Sequence, residues 1–266
     1  MNYDLIVSDY DLTLTNSDRV ITERTRATIK KFQDNGGIFV LCSARPLNAL
    51  TPVINGIKVD AIIATQGAST YDLDKNIRIK KHPLLPEEVK EITTFLKPIT
   101  PHIHLINDTE QRSKIFSFVE YGCNKIVNYQ IKPIYRKIFN YYPEDGIFQV
   151  MTGSYHVEKI APLLKILRDH FKDRYEIGLC DKRLINITHK DVTKGAAIQD
   201  IIEYYGLTKE RAMAFGDSPN DASMFKYVKT GVAMGNSMEE LKQYATDICG
   251  QCDNDGLARF IEEHVF

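Results

Sequence analysis

The chain has 266 residues, 43% hydrophobic and 26% charged, with a formal net charge of -1, which suits a globular protein of one large or two modest domains. That balance supplies no basic field for nucleic acid or an anionic membrane surface, and no apolar run approaches the ~18 residues that span a bilayer. The N-terminus lacks a basic segment followed by an apolar stretch, so no secretory signal is expected and cytoplasm is the default location.

Leu5 to Ser8 reads as a first buried strand, ending at Asp9-Tyr10-Asp11. Thr22 is a plausible N-cap for a helix through Phe32, which Gly36-Gly37 stops. Ile38 to Cys42 reads as a second strand running into Ser43-Ala44-Arg45-Pro46, with a short helix through Leu50 after it. Ala61 to Ala64 is a third strand. This alternation predicts a parallel sheet with right-handed crossovers. Ser69 to Tyr71 and Ile77 to Ile79 flank a polar turn in which Asp72 and Asp74 read as turn chemistry. Pro83 and Pro86 mark a stiff point suited to a domain junction.

Beyond that junction the pattern changes. A helix is predicted over Glu87 to Leu96 and a longer one over His156 to Phe171. Strands are predicted over His102 to Ile106, Ile147 to Met151, Tyr175 to Leu179 and Leu184 to Ile187. This order suits an α+β insert with a largely antiparallel sheet, and Thr109 to Tyr142 is its least readable stretch. The α/β alternation then resumes. Helices are expected over Lys194 to Tyr205, Ala222 to Tyr227, Met238 to Tyr244 and Leu257 to His264, and strands over Ala212 to Phe215 and Gly231 to Met234. The fold class expected is α/β, a Rossmann-like doubly wound, mostly parallel sheet. Residues 1–83 and 188–266 would form this core, and residues 84–187 an inserted α+β cap.

Two acidic clusters follow apolar strands: Asp9 with Asp11, and Asp217 with Asp221. In open α/β sheets such strand ends converge on the ligand crevice. Asp9 can offer a carboxylate to a cation and to phosphorus, and a carboxylate nucleophile divides one hard hydrolysis into two easier steps. Asp11 can serve the leaving oxygen, a role that contributes ~10²–10⁴-fold. Mg²⁺ takes oxygen ligands and needs only one or two carboxylates; Asp217 is the first choice, while Asp221 also reads as a helix cap. Ser43 and the main-chain N–H groups beside it suit phosphate oxygens. Lys194 can neutralise aspartate and phosphate charge, and Arg45 can reach phosphate or cover apolar surface. Taken singly, each of these residues also reads as solvated loop, cap or surface.

Their order resembles the haloacid dehalogenase superfamily, and the insert is similar to the type 2 cap of its Cof-like sugar-phosphatase branch. The resemblance rests on Asp9-Tyr10-Asp11-Leu12-Thr13, the strand-end Ser43, Lys194 and Gly216-Asp217-Ser218-Pro219-Asn220-Asp221, with Asn254-Asp255-Gly256-Leu257 near the end. It implies Asp9 as nucleophile and Mg²⁺ ligand, and Asp11 as general acid/base with its carbonyl on the metal. It implies Ser43, Lys194, Arg45 and Asn220 at the phosphate, and Asp217 as the remaining carboxylate ligand. Leu12, Ala44 and Gln66 depart from the glycine, glycine and asparagine usual in the branch.

The expectation is a Mg²⁺-dependent phosphatase acting on a small phosphorylated metabolite, a sugar phosphate, through an aspartyl-phosphate. The insert would close over the crevice and carry selectivity, with Tyr121, Lys125, Tyr141 and Tyr142 as unranked candidates. No nucleic-acid or membrane partner is expected. A sugar phosphomutase with the same nucleophile and a non-catalytic phospholigand-binding module stay open. Five scattered cysteines (Cys42, Cys123, Cys180, Cys249 and Cys252) are not a disulfide framework. The Cys249/Cys252 pair has no second pair to complete a metal site, and His102 with His104 reads as structural.

Overall fold

The computed structural model describes residues 1–54, 56–113 and 142–266. In chain order the strands and helices are β1 (Leu5–Asp9), α1 (Glu23–Asp34), β2 (Ile38–Cys42), α2 (Leu47–Leu50), β3 (Ala61–Ala64), β4 (Ser69–Asp72) and β5 (Ile77–Lys81). Then come α3 (Pro86–Leu96), β6 (Ile103–Ile106), β7 (Gln111–Ser113), β8 (Gln149–Gly153), α4 (Ile160–Phe171), β9 (Tyr175–Asp181) and β10 (Leu184–His189). Last are α5 (Lys194–Tyr205), β11 (Ala212–Gly216), α6 (Ala222–Phe225), β12 (Thr230–Ala233), α7 (Glu239–Lys242), β13 (Asp247–Ile248) and α8 (Gly256–His264).

The chain divides into two compact units. One holds Met1–Ser43, Ile54–Lys80 and Thr193–Phe266; the other holds Ala44–Val53 and Lys81–Val192. The short segment carrying α2 goes with the second unit, where the Asn48 N–H donates to the Asp108 carbonyl at 3.1 Å.

The first unit is built on an eight-stranded sheet in the order β13-β12-β11-β1-β2-β3-β4-β5. Strands β13 to β3 in that order are parallel, and β4 runs antiparallel to β3. Strands β1, β2, β3, β11 and β12 are buried almost throughout, as sequences such as Leu5-Ile6-Val7 and Ile38-Phe39-Val40-Leu41 require of strands covered on both faces. Their connections run outward on both sides of β1, toward β3 on one side and β13 on the other. The reversal between β1 and β11 is the topological switch point, where open sheets leave a crevice beyond the strands' carboxyl ends. Helix α1 buries Thr25, Thr28, Ile29 and Phe32, a stripe at helical spacing. Thr22 caps it by accepting from the Thr25 N–H, and Gly36 leaves it at φ +87, the left-handed conformation that glycine adopts without steric cost.

The second unit has a five-stranded antiparallel sheet in the order β7-β6-β8-β10-β9. Val89, Ile92 and Leu96 of α3 and Ile160, Leu163, Leu167 and Phe171 of α4 form one core with Ile103, Leu105, Val150, Ile185 and Ile187 of the sheet. Each fully buried aliphatic or aromatic side chain of that kind contributes roughly 1.5–3 kcal/mol. Among the described residues no helix is long and apolar enough to cross a membrane.

Several expected bounds shift. The strand expected at Ile147 starts at Gln149, because the Ile147 carbonyl is taken by the Leu84 N–H in an isolated bridge. The helix expected over Met238 to Tyr244 shortens to α7, and the one expected over Ala222 to Tyr227 to α6. β7 and β13 are additional strands, too short for an apolar period to register.

Candidate active site

Strand ends lay out the crevice of the first unit. Asp9 pairs with Cys42 of β2, and Ser8 with Phe215 of β11. Ser43 and Asp217 therefore follow directly on the two strands that flank Asp9. After Asp9 the chain makes a loop over Tyr10–Leu14, closed by the Thr15 N–H on the Tyr10 carbonyl, with Asp11 and Leu12 outside helical geometry. Within it Leu12 takes φ +56, a left-handed backbone that carries a steric penalty in any residue but glycine. Its carbonyl accepts from Asn236 Nδ2 at 2.9 Å.

Asp9, Asp217 and Asp221 bring carboxylate oxygens within 4.8 Å of one another, the one such group of three among the described residues. Lys194 enters from the first turn of α5, which Thr193 caps by accepting the Ala196 N–H at 3.0 Å. Its Nζ donates to Asp9 Oδ1 at 2.6 Å and to Asp221 Oδ1 at 2.5 Å. The second oxygen of Asp221 accepts the main-chain N–H groups of Asp217 and Ser218, both at 3.0 Å. Asp221 thus ties the β11 end to Lys194, and it is fully buried. Gly216 permits this: a Cβ there would stand 2.4 Å from the Asp221 Cβ. Thr13 Oγ1 reaches Asp217 Oδ1 at 3.5 Å.

Asn220 accepts a short bond from Ser218 Oγ and donates from Nδ2 to Gln66 Oε1 at 3.3 Å. Ser43 is buried; its N–H donates to the Ile63 carbonyl, and its carbonyl accepts the Gln66 N–H. Asp11 is half-buried near enough to Asp217 to raise its pKa. Arg45 belongs to the second unit.

Charge dominates the site. Burial pushes Asp9 well above the ordinary carboxylate range; Lys194 opposes this, and Asp221 and Asp217 add to it. Burial, then Asp221, pushes Asp217 up to about 7. Burial alone would lower Lys194, but the carboxylates of Asp221 and Asp9 outweigh it and hold the ammonium well above its usual range. Three carboxylates face one ammonium, so full ionisation leaves an excess of two negative charges. An all-oxygen donor set with that excess fits a hard divalent cation such as Mg²⁺.

A family profile described as haloacid dehalogenase-like hydrolase matches residues 6–261. The chain belongs to this family. The haloacid dehalogenase-like hydrolase is 29% identical over 270 residues to a putative phosphatase of Haemophilus influenzae, covering 99% of this chain and 98% of that one. It is 25% identical to the 5-amino-6-(5-phospho-D-ribitylamino)uracil phosphatase YwtE of Bacillus subtilis, over 97% and 96% of the two chains. Its fold superposes on a haloacid dehalogenase-like hydrolase from Bacteroides thetaiotaomicron with a TM-score of 0.88 at 24% identity, covering 99% and 100% of the chains. The expected superfamily and the α/β fold with its second α+β unit are borne out.

In this hydrolase the motif residues Asp9, Asp217, Asp221, Lys194 and Asn220 are linked by charge or hydrogen bonds. Thr13, Ser218 and Gln66 join them without having been assigned a role from the sequence. Thr13 lies inside the first motif and Ser218 inside the last; Gln66 lies just past the third strand, while Asp9 ends the first.

Tyr121, Lys125, Tyr141 and Cys123 fall outside the described residues. Tyr142 donates its hydroxyl to the Leu84 carbonyl at 2.5 Å within the second unit, a packing role. His102 stacks edge-on with Tyr155, and His104 is buried beside Gln111. Cys249 and Cys252 are free thiols, and burial pushes Cys249 up to about 12, where almost no reactive thiolate forms. A cleft lined by Glu23, Arg26, Lys30, Gln33 and Lys58 shares no residue with the acidic cluster. There Lys30 is paired with Asp34, and Lys58 with Asp60 and Asp74.

Proposed function

We propose that this hydrolase is a cytoplasmic, Mg²⁺-dependent phosphatase that cleaves the phosphate monoester of a small metabolite, a sugar or sugar-alcohol phosphate, through an aspartyl-phosphate. The observation that carries the reading is the buried cluster of Asp9, Asp217 and Asp221 on one lysine at the sheet's switch point. Carboxylates assembled at such cost, with a lysine among them at a sheet crevice, suit a site that does chemistry on a bound anion.

Asp9, Asp217 and the Asp11 carbonyl would hold the cation. When bound, Mg²⁺ supplies positive charge that keeps the carboxylates ionised and screens them from an incoming phosphate dianion. The protein's own groups do the rest. Asp9 forms a bond to phosphorus as the ester P–O bond breaks, and Asp11 gives its proton to the departing alkoxide. Asp11 then takes a proton from water as the water oxygen attacks phosphorus, which releases phosphate and restores Asp9. Ser43 and Lys194 bind phosphate oxygens, and Asn220 helps orient them. Arg45 and residues 84–187, acting as the cap, contribute substrate contacts. Asp221, with both oxygens already engaged, acts by fixing Lys194 and the Asp217 main chain.

The substrate class draws on the B. subtilis relative, whose name specifies a phosphorylated ribityl chain. A panel of phosphorylated sugars, sugar alcohols, nucleotides and small acids, assayed for phosphate release with Mg²⁺ and with EDTA, tests the reading. Asp9→Asn is expected to fold, to keep an acceptor for Lys194, and to release no phosphate. Wild-type turnover in that variant would remove Asp9 from the mechanism.

A further inference from the structure

The turn after β3 is more strained than its connecting role requires. Thr65, Gln66 and Gly67 take φ of +50, +61 and +104 in succession. Only the glycine suits that region, and a β-branched threonine is a particular outlier there. Thr65 is fully buried, and its hydroxyl oxygen has no hydrogen-bond partner. A substituent on Gly67 would stand 2.4 Å from the Thr193 carbonyl, so the turn is pressed against the cap of the helix that carries Lys194. Strain of this kind persists only where surrounding structure enforces it, and it collects at functional sites.

The Gln66 side chain is what the strain holds in place. Its main-chain N–H reaches the Ser43 carbonyl at 3.0 Å, and its Oε1 accepts from Asn220 Nδ2 at 3.3 Å. Asn220 Oδ1 accepts from Ser218 Oγ; the Ser218 N–H donates to Asp221; Asp221 accepts from Lys194; and Lys194 donates to Asp9. One hydrogen-bonded path therefore runs from Gln66 to Asp9, and it is anchored at its other end on the β2 terminus. Gln66 itself is buried.

We infer that Gln66 is a positioning residue: its amide fixes Asn220 and, along this path, the geometry of Lys194 and Asp9. The inference rests on the phosphatase reading for its kinetic consequence but not for its structural one.

Gln66→Gly separates the two jobs of the residue, since glycine adopts the left-handed turn freely while the side chain and its amide are lost. The expected result in the full-length chain with Mg²⁺ is a kcat for p-nitrophenyl phosphate lowered ~10-fold or more, because small misplacements near reacting groups cost that much. KM changes little, and the thermal midpoint does not fall. A residue that merely shaped the turn would leave kcat unchanged in Gln66→Gly. Combined with Asn220→Ala, the loss is expected to be less than the product of the single losses, as for residues of one network. The side-chain amide resonances of Asn220 are expected to move in Gln66→Gly, a readout that needs no turnover. Full kcat in Gln66→Gly, multiplicative losses in the double variant, or unmoved Asn220 resonances would each overturn the inference. If the wild-type chain hydrolyses no phosphate ester, the proposed function fails and the Asn220 resonances alone decide this one.

Discussion

Lys194 bridges two buried carboxylates. Its ammonium is almost completely buried and stands between Asp9 and Asp221. Replacing it by methionine keeps the volume and leaves two carboxylates buried without their cation. Removing one partner of a buried ion pair costs ~3–5 kcal/mol, so Lys194→Met is expected to lose about that much stability in urea unfolding without Mg²⁺. An unchanged midpoint would mean that the bonds from Lys194 to Asp9 and Asp221 add nothing to stability. Leu12 presents the opposite case. It is 42% exposed and outside the core, yet it holds φ +56. Leu12→Gly is expected to stabilise the chain by ~0.5–1 kcal/mol, by relieving the left-handed strain that only glycine avoids. These two residues also mark what was legible. Lys194 and the aspartates stood out because their types follow strand ends or open a helix in a fixed order. Leu12 showed as a departure from glycine, but its conformation depends on a turn that no periodicity encodes. The partners of Thr13, Ser218 and Gln66 likewise depend on loop geometry, where residues far apart in sequence meet.

Elements ending in strong local signals were read to the residue. β3 and α5 have the bounds expected of them, α5 because Thr193 caps its start and Gly206 takes the left-handed position that ends it, with φ +64. The strand β13 is two residues long and exposed, so neither burial nor alternation announced it. The α1–α8 contact was equally hidden, since it depends on side chains more than two hundred residues apart. Arg24 and Thr28 of α1 both donate to Glu262 of α8. The Arg24 guanidinium, helped by Thr28, holds the Glu262 carboxyl below its usual value of 4.5. A depressed carboxyl contributes stability that is complete above its unfolded pKa and is lost as pH falls through the folded one. Glu262→Gln is therefore expected to lower stability near neutral pH, and to lower it less and less as pH drops below 4.5. Partial exposure of both side chains and screening by salt keep the effect small. Urea midpoints of the two chains across that range test this; a constant gap would place the bond's value outside its charge.

At the scale of the whole molecule, the first unit is assembled from both ends of the chain and the stretch Ile54–Lys80. The resumed α/β alternation is the sequence feature behind the expectation of a core drawn from both chain ends. The grouping of Ala44–Val53 with the second unit has no such local signal: the Asn48 N–H there donates to the carbonyl of Asp108, sixty residues on. The same assembly makes the acidic cluster a property of the folded state alone: Asp9 lies 208 positions before Asp217 in the sequence, and only the β1–β11 pairing brings them together. A cation held by that cluster binds the native chain and not the unfolded one, so it must stabilise folding by mass action, by ~2.7 kcal/mol at a hundred times its dissociation constant. Mg²⁺ is thus expected to raise the thermal midpoint of the wild-type chain, and EDTA to reverse it. Asp217→Asn removes a carboxylate whose pKa is pushed up to about 7 when no cation offsets its neighbours, and so it relieves repulsion in the metal-free chain. Its midpoint without Mg²⁺ is expected to equal or exceed that of the wild type, and its rise with Mg²⁺ to shrink or vanish. A wild-type rise that survives intact in Asp217→Asn would show that Asp217 does not hold the cation.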